Sequence, residues 1–258
     1  SLNRNTVLNL GGDQEFFRDG VNGSLPTMRG SAIIRVGQPL GSYYGYVFEG
    51  MYQDSADVAN SPHYTGAAPG REKLKDVNGD GMINADDKTI LGNSQPKYIL
   101  GQNGMISRGP LSLSYVLRAV EGFKVVNLNR QGMETPGGSS NQLATVLDYW
   151  SPTNHTNAMT ALGVGPYPDM TSRWIEDGSF VRLQNVTVSW QVPERYTARL
   201  RLGESRLYVS GQNLYTWTKY SWYDPEASSR GTSDLQLGWD DSSYPGVRTF
   251  TVGWNVTF

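Results

Sequence analysis

The stretch VRTFTVGWNVTF, residues 247–258, alternates strictly between large apolar side chains and small or polar ones. One face carries the apolar set Phe250, Val252, Trp254, Val256 and Phe258, and the other carries Thr249, Thr251, Gly253, Asn255 and Thr257. This period of two predicts a β-strand with one apolar face. A strand of a soluble sandwich and a strand of a membrane barrel both fit the pattern, so the rest of the chain has to decide between them.

Further stretches of the chain have strand-like patterns. They lie at 5–10, at 28–37, in two strands within 97–127 around the turn SRGP at 107–110, at 179–192 and at 205–220. Together with the last stretch they predict about six to seven strands of an all-β, antiparallel fold, one of them partial.

The connections between these strands alternate in length. Short ones lie near 19–27, 107–110 and 193–203, and long polar ones lie near 42–95, 129–173 and 219–246. Such alternation is typical of outer-membrane barrels, in which the turns are periplasmic and the loops extracellular. Aromatic residues at or near strand ends also match the girdles of such barrels, namely Trp190, Trp217, Tyr220, Trp222 and Trp254. The sequence therefore favours a transmembrane β-barrel, with scattered core aromatics of a sandwich as the alternative.

The number of strands is too small for a barrel of their own. Closed bacterial single-chain barrels begin at about eight strands, and an open sheet edge cannot lie unpaired in lipid. The chain is therefore expected to be a fraction of a larger barrel. Its start, SLNRNTVLNLGG, has no basic region followed by an apolar core, so no signal peptide is predicted.

Composition excludes several classes of function. The 258 residues include no cysteine and carry a formal net charge of −2, so a thiolate metal site and a Cys nucleophile are excluded, and no basic block predicts nucleic-acid binding. The two histidines, His63 and His155, lie in polar sequence without a nucleophile motif or metal-ligand spacing. Asp240 and Asp241 are adjacent and would diverge in a strand. The protein is therefore not expected to be an enzyme.

The segment DVNGDGMINADD, residues 76–87, has the spacing of an EF-hand calcium loop. Such a loop places ligands at positions 1, 3, 5, 7, 9 and 12 around a glycine at position 6, which is Gly81 here. The predicted ligands are Asp76, Asn78, Asp80, the Met82 carbonyl, Asn84 through a water molecule, and Asp87, with Asp86 as a competitor for the last position. Oxygen donors of this kind suit Ca²⁺. A structural calcium ion is predicted, and a metal-free turn rich in Asp, Asn and Gly is the alternative.

Four long segments carry a family resemblance. They are GQPLGSYYGYVFEGMYQ (37–53), KDVNGDGMINADDKTILGNSQPKY (75–98), NLYTWTKYSWYDPE (213–226) and YPGVRTFTVGWNVTF (244–258). Occurring in this order along the chain, they resemble the C-terminal part of SusC-like (SusC/RagA) TonB-dependent outer-membrane transporters.

The resemblance implies a barrel of about 22 strands with an N-terminal plug, in the outer membrane of a Gram-negative bacterium. No plug domain or TonB box is visible, so the chain is expected to be about the last quarter of such a transporter. The long loops would then be extracellular, including loop 42–95 with the calcium-type segment 76–87. A terminal strand ending in an aromatic residue, here Phe258, matches the family's insertion signal.

The resemblance also implies partners and a substrate. A SusD-like surface lipoprotein would cover the barrel, TonB would act through the N-terminal part, and the cargo would be oligosaccharides or, in some members, peptides. The candidate substrate-contacting aromatics are Trp150, Trp174, Trp222 and Tyr223 in the long loops, for which loop packing is the alternative. A secreted, soluble, carbohydrate-binding β-domain with a structural calcium site is the second hypothesis. A dockerin-type adhesion module is a weaker third one, because the calcium-type loop occurs once.

Overall fold

The computed structural model describes residues 1–11, 16–18, 31–138, 141–229 and 237–257. Strands dominate, and helices are few and short. No helix in this part of the chain is both long and apolar enough to cross a membrane.

The strands, in chain order, are β1 (Phe16–Arg18), β2 (Ala32–Ile34), β3 (Ser42–Gly45), β4 (Phe48–Met51), β5 (Glu72–Leu74), β6 (Thr89–Asn93), β7 (Tyr98–Arg108), β8 (Leu111–Glu121), β9 (Lys124–Asn127), β10 (Tyr149–Trp150), β11 (Met159–Ala161), β12 (Ile175–Asp177), β13 (Phe180–Gln191), β14 (Ser205–Thr218), β15 (Trp239–Asp240) and β16 (Thr249–Val256). The helices are α1 (Ser55–Asn60), α2 (Leu128–Met133) and α3 (Glu194–Thr197), and single 3₁₀ turns lie at Ala85–Asp87, Ala144–Leu147, Ser172–Trp174 and Ala198–Leu200.

Five long strands form one antiparallel sheet in the order β16-β14-β13-β8-β7. The register is continuous across the sheet: Leu111 pairs with Trp190, Trp190 with Leu207, and Leu207 with Trp254. The register of β13 against both β8 and β14 shifts between Leu183 and Asn185. This sheet confirms the predicted antiparallel β class.

The two faces of this sheet differ in chemistry. One face is lined by apolar side chains that are largely exposed, among them Ile106, Leu113, Trp190, Leu207, Val209, Trp217, Phe250, Val252 and Trp254. The opposite face is mainly polar, with Ser107, Ser112, Ser114, Thr187, Ser189, Ser210 and Thr251. The side chain of Val252, for example, is 79 % exposed. We call the apolar side of the sheet the outer face and the polar side the inner face. Within the described residues, no other element packs on the outer face to form a core.

Most of the buried core lies in the segments before the first long strand and between the later ones. These segments build the sheets β1-β2-β3-β6 and β12-β9-β15 and the pairs β4-β5 and β10-β11. Tyr43 and Trp239 are fully buried and meet edge to face, with ring centroids 5.8 Å apart. The Tyr43 hydroxyl donates to the carbonyl oxygens of Leu237 and Gly238 at 3.0 and 3.1 Å. We refer to this assembly of loops as the loop lobe.

The loop lobe is joined to the inner face at one end of the sheet. Phe180 and Val120, opposite each other on β13 and β8, are buried under Phe123, Val125 and Tyr220. Burial of such aromatic and aliphatic groups is the dominant favourable term in packing. The lobe therefore covers the inner face at this end and leaves the outer face exposed.

A buried ion pair ties two of the long loops together inside the lobe. Arg173 Nη1 donates to Glu72 Oε1 at 2.9 Å, and the two side chains are only 4 % and 1 % exposed. Arg173 Nη2 also donates to the Ala158 carbonyl oxygen at 2.6 Å. Burial raises the pKa of Glu72 and lowers that of Arg173, against the attraction between them. For both side chains the effect of desolvation on the pKa is larger than that of their mutual attraction. Removing one partner would therefore leave a buried charge at a high cost in stability.

The structure corrects the predicted number of long strands. Five are present in the described residues instead of about six to seven. Residues 5–10 form no strand, and residues 28–37 contribute only β2, of three residues, with 28–30 outside the described residues. The backbone of Val7 instead exchanges hydrogen bonds with Gly37 and Gln38, which holds both segments in the loop lobe.

Three further sequence predictions have different outcomes. Trp190, Trp217 and Trp254 lie exposed on the sheet, whereas Tyr220 is buried and Trp222 is half-buried in the lobe, so these two are not girdle residues. The physical reason is that both residues follow the end of β14, where the chain turns inward. There they pack with Phe180, Val120, Phe123 and Val125, which we call the Phe180 cluster. The predicted short connection at 19–27 and the terminal Phe258 lie outside the described residues.

We expect Arg173→Met to destabilise the loop lobe by about 3–5 kcal/mol, because it leaves the Glu72 carboxylate buried without its partner. The double variant Glu72→Leu/Arg173→Met should recover most of that loss, since no buried charge remains. Thermal unfolding followed by tryptophan fluorescence measures both. If the double variant is as unstable as the single one, the loss of stability comes from losing the ion pair and not from leaving the Glu72 carboxylate buried without a partner.

Candidate functional site

The calcium-type segment 76–87 lies between β5 and β6, in the loop lobe. Two glycines allow its turn: Gly79 and Gly81 have φ of +79° and +85°, a region that residues with a Cβ rarely adopt. The segment ends in the 3₁₀ turn Ala85–Asp87, which Asn84 caps by accepting from the Asp86 N–H at 2.8 Å. The sharp turn predicted at Gly81 is therefore present.

Asp76 organises the first half of the segment. Its Oδ1 accepts from the Gly79 N–H at 2.6 Å, and its Oδ2 accepts from the Gly81 N–H at 2.8 Å. The hydrogen bond from Gly81, followed by that from Gly79, lowers the pKa of Asp76 below its ordinary value. Because its pKa is lowered in the folded state, the ionised Asp76 contributes stabilisation that is fully present above the ordinary pKa of Asp and is lost as the pH falls through the lowered value.

Asn78 and Asp80 form successive turns of the kind in which a side chain accepts from a backbone amide two residues on. Asn78 Oδ1 accepts from the Asp80 N–H at 2.9 Å, and Asp80 Oδ1 accepts from the Met82 N–H at 2.8 Å. Asn78 Nδ2 also donates to Asp80 Oδ2 at 3.1 Å. These exposed side chains therefore shape the backbone through local hydrogen bonds.

Asp87 differs from the other acidic residues of the segment because it is fully buried. Its Oδ1 accepts from the Val77 N–H at 2.9 Å, and its Oδ2 accepts from the Asn84 N–H at 2.8 Å. The carboxylate thus closes the segment by joining both of its ends. Oδ1 also accepts from the Asn78 N–H at 3.5 Å, so Oδ2 is the oxygen with a second lone pair for a cation.

Ile83 anchors the segment to the lobe. Its N–H donates to the His63 carbonyl oxygen at 3.2 Å, and its side chain packs with Tyr46 and Leu74. Residue 63 therefore supplies the backbone partner for this loop.

The segment fits a calcium ion by the chemistry of its donors, which are carboxylate, amide and carbonyl oxygens. Asp76 and Asp87 hold the turn of the segment through hydrogen bonds from backbone N–H groups. However, no three Asp, Glu, His or Cys side chains in the described ranges form a group with metal-ligating geometry. The six predicted ligands therefore remain a prediction.

The four candidate substrate-contacting aromatics have different surroundings. Trp150 is 9 % exposed and stacks on His155, with ring centroids 5.9 Å apart. Trp174 is 1 % exposed, with the Arg173 guanidinium 4.6 Å from its ring centroid. Both rings are covered by the loop lobe, which matches the packing alternative. Trp222 is half-buried, and its neighbour Tyr223 is 74 % exposed, so of the four Tyr223 has the most accessible ring.

The sequence did not single out a charged cluster on the inner face. Arg118 and Arg182 lie opposite each other on β8 and β13, and Glu226 accepts from both at 2.5 Å. Arg182 also donates to Asp224 Oδ1 at 2.7 Å and to Thr216 Oγ1 at 2.9 Å. Like charges placed directly opposite each other destabilise a sheet. The DPE sequence at 224–226 therefore neutralises an arginine pair and fixes the start of loop 219–246 to the sheet.

The arginine pair could have been found from the strand pattern. Arg118 occupies an inner-face position of a strand whose outer face is Leu111, Leu113, Tyr115 and Leu117. A charged residue at such a position needs a partner, and the acidic residues at 224–226 lie outside the strands. Without the register of β8 against β13, however, the three segments could not be brought together.

Comparison with known proteins shows two relatives with more than 30 % identity. TonB-dependent receptor P3 of Formosa agariphila is 35 % identical and TonB-dependent receptor P26 of the same organism is 31 % identical, each over the whole of this chain. TonB-dependent receptor SusC of Bacteroides thetaiotaomicron is 25 % identical over 87 % of the chain. The chain spans about a quarter of the length of the first two, 26 % in each case, and 20 % of SusC. No model of a known protein family matches the chain.

Solved structures share the fold. The RagAB peptide importer in its open-open state matches 98 % of the chain with a TM-score of 0.74 and 20 % identity, and covers it with 25 % of its own chain. The RagAB peptide transporter matches 88 % with a TM-score of 0.70 and 23 % identity, over 24 % of its own chain. The antiparallel sheet and the loop lobe are thus found together in another protein.

We expect Asp87→Ala to destabilise segment 76–87 with or without calcium, because the part-buried Val77 and Asn84 N–H groups lose a charged acceptor, and a hydrogen bond to a charged group contributes about 1.5–3 kcal/mol. The matched variant Asp80→Ala removes one exposed carboxylate and should have a small effect in a chelator. Hydrogen exchange of the amides at 76–87 in a chelator measures both. Equal protection in the two variants would show that Asp87 does not close the segment.

Proposed function

Because the chain is a segment of a SusC-like TonB-dependent receptor, we propose that its five long strands form part of the wall of an outer-membrane barrel. The chain covers about a quarter of its relatives, so the activity of the whole receptor belongs to this proposal. Its relatives are receptors and not enzymes, in agreement with the lack of a catalytic motif in the sequence.

The observation that carries the proposal is the pair of unlike faces of the five-stranded sheet. Val209, Val252 and Ile106 belong to an outer face that is exposed in the chain by itself. In water such an apolar surface would be costly, since each square ångström costs about 25 cal/mol. Lipid on the outer face and the barrel interior on the inner face would suit both surfaces.

The soluble carbohydrate-binding domain is the less satisfactory hypothesis. A soluble sandwich would cover the outer face with a second sheet. No such sheet lies over it in the described residues, where the remaining strands belong to the loop lobe. The relatives also belong to the receptor class.

In the proposed orientation the loop lobe is extracellular and the connections 109–110 and 192–204 face the periplasm. The long loops 42–95, 129–173 and 219–246 lie at one end of the sheet and share a buried core. A rigid lobe of this kind provides a fixed surface, and we propose that a SusD-like lipoprotein docks on it. Transport would be powered by TonB acting on a part of the receptor outside this chain.

The proposed cargo is an oligosaccharide, with a peptide as the alternative chemistry. Tyr223 is the candidate contact, because its exposed ring could stack on a sugar or on a peptide side chain. The test is uptake of fluorescent oligosaccharides and peptides by cells that carry the complete receptor, with and without TonB. Uptake that does not depend on the receptor or on TonB would reject the transport proposal.

The proposed role of calcium is structural. An ion bound by Asp76, Asn78, Asp80, Met82, Asn84 and Asp87 would neutralise three carboxylates and hold the loop between β5 and β6. Extracellular sites need only weak affinity, of about 10⁻⁴–10⁻³ M. The residues of the segment would hold the ion, and no step of transport passes through it.

We expect Val209→Arg to reduce insertion of the complete receptor into the outer membrane, because arginine on the lipid face costs about 2–4 kcal/mol near the middle of the membrane. The matched control is Ser210→Arg, which places an arginine at the next residue of the strand, where the side chain lies on the inner face of the sheet. The amount of folded receptor in the outer-membrane fraction is the measurement. Equal amounts for the two variants would contradict the assignment of the faces.

We expect a calcium chelator to lower the melting temperature of the complete receptor by several degrees, since a bound ion stabilises the state that binds it. Asp80→Ala should abolish this difference without changing the melting temperature in chelator. A thermal shift measured with Ca²⁺, with Mg²⁺ and with chelator gives the result. If wild type responds no more than Asp80→Ala, the calcium site is wrong, while the barrel proposal stands.

A further inference from the structure

The short connection 192–204 closes an apolar groove at the end of the sheet opposite the loop lobe. The groove has a volume of about 300 Å³ and opens on the outer face. Its lining is mainly apolar: Trp190, Val192, Tyr196, Leu202, Leu207 and Trp254. It is therefore suited to hold a hydrocarbon chain.

Two of the polar side chains that line the groove are engaged in hydrogen bonds. The indole Nε1 of Trp254 donates to Ser205 Oγ at 2.7 Å, and Thr197 Oγ1 donates to the Glu194 carbonyl oxygen at 3.3 Å. The accessible lining is almost entirely apolar, so a polar ligand entering the groove would find few groups to bind. An apolar occupant would lose nothing by this, because the lining requires no hydrogen bonds.

Cationic side chains lie on the connection that closes the groove. Arg195, Arg199 and Arg201 lie on the connection and are exposed, and within the described residues none of them forms an ion pair. The guanidinium of Arg195 stacks on the ring of Tyr196, 4.8 Å from its centroid. Since Tyr196 lines the groove, a positive charge lies next to a wall of it.

We propose that this groove binds one phospholipid with an anionic headgroup, its acyl chain in the groove and its phosphate on the arginines of the connection. The proposal rests on the barrel function, which places this end of the sheet at the periplasmic leaflet. Unpaired arginines complement a phosphate, and guanidinium groups are well suited to bind it. The groove continues the outer face, so a lipid in the surrounding leaflet can enter it sideways.

The test uses the complete receptor in detergent, titrated with phosphatidylglycerol and, separately, with phosphatidylcholine of the same acyl chains. Native mass spectrometry counts the bound lipids. We expect one site that prefers phosphatidylglycerol by about tenfold or more, since exposed arginines attract a lipid with a net negative headgroup. Equal affinity for the two lipids would overturn the proposal.

Two variants separate the charge from the groove. Arg195→Gln/Arg199→Gln/Arg201→Gln should weaken phosphatidylglycerol binding by about tenfold and should weaken phosphatidylcholine, whose phosphate charge is balanced by choline, by less. Leu202→Trp fills the groove and should weaken both lipids. The matched control is Arg4→Gln/Arg71→Gln/Arg248→Gln, which removes three exposed arginines away from the connection and should bind both lipids as wild type does. Full binding by the first variant would overturn the site.

Two further measurements distinguish the causes of a failure. Recovery of each variant from the outer-membrane fraction shows whether the barrel has formed. A receptor absent from that fraction in its wild-type form overturns the barrel proposal, and the lipid site with it. An inserted receptor without lipid preference overturns the lipid site alone. Displacement of phosphatidylglycerol by inorganic phosphate at equal concentration would assign the arginines to a free anion and also overturn it.

Discussion

Backbone hydrogen bonding is the constraint on which the rest of this structure depends. A sheet that faces hydrocarbon must pair its N–H and C=O groups within itself, because lipid offers no partners. The strands β7, β8, β13, β14 and β16 meet this demand between neighbours through one antiparallel register, with β7 and β16 as the edges that need further partners. Because the register fixes which side chains share a face, it also separates the apolar outer face from the polar inner face.

This constraint divides the chain into two regions with different chemistry. The five long strands contribute little to the buried core, since their outer face stays uncovered in the chain. Packing is concentrated in the loop lobe, around Tyr43, Trp239 and Trp174, as in a soluble domain. The lobe can therefore hold a rigid shape without help from lipid. The Phe180 cluster is where the two regions meet.

The sequence predicted the parts of the fold in which a local pattern decides the structure. The alternation at 249–256 and the turn at 107–110 were recovered because neighbours in sequence share a face or a turn. The same reasoning failed for 5–10 and for most of 28–37. In these segments the backbone of Val7 forms hydrogen bonds with residues 37–38, about 30 positions away. A local apolar pattern does not reveal such a pairing.

The candidate site shows the same limit. The shape of segment 76–87 was predictable, because glycines and Asp or Asn side chains act on backbone groups within a few residues. The surroundings of Trp150 and Trp174 were not, since loop aromatics are covered or exposed according to segments far along the chain. The partners of Arg118 and Arg182 were missed for that reason too, as Glu226 lies 108 residues after Arg118.

The buried pair Glu72–Arg173 has a consequence for the order in which the protein folds. The two residues are separated by 101 positions, and the contact of Tyr43 with Gly238 spans 195. Contacts between such distant residues form slowly, because a long stretch of chain must be closed first. The hairpin β7–β8 has only a two-residue turn and can form early. This hairpin would thus exist before the lobe, and the lobe would mature last, after every long loop has reached the same end of the sheet.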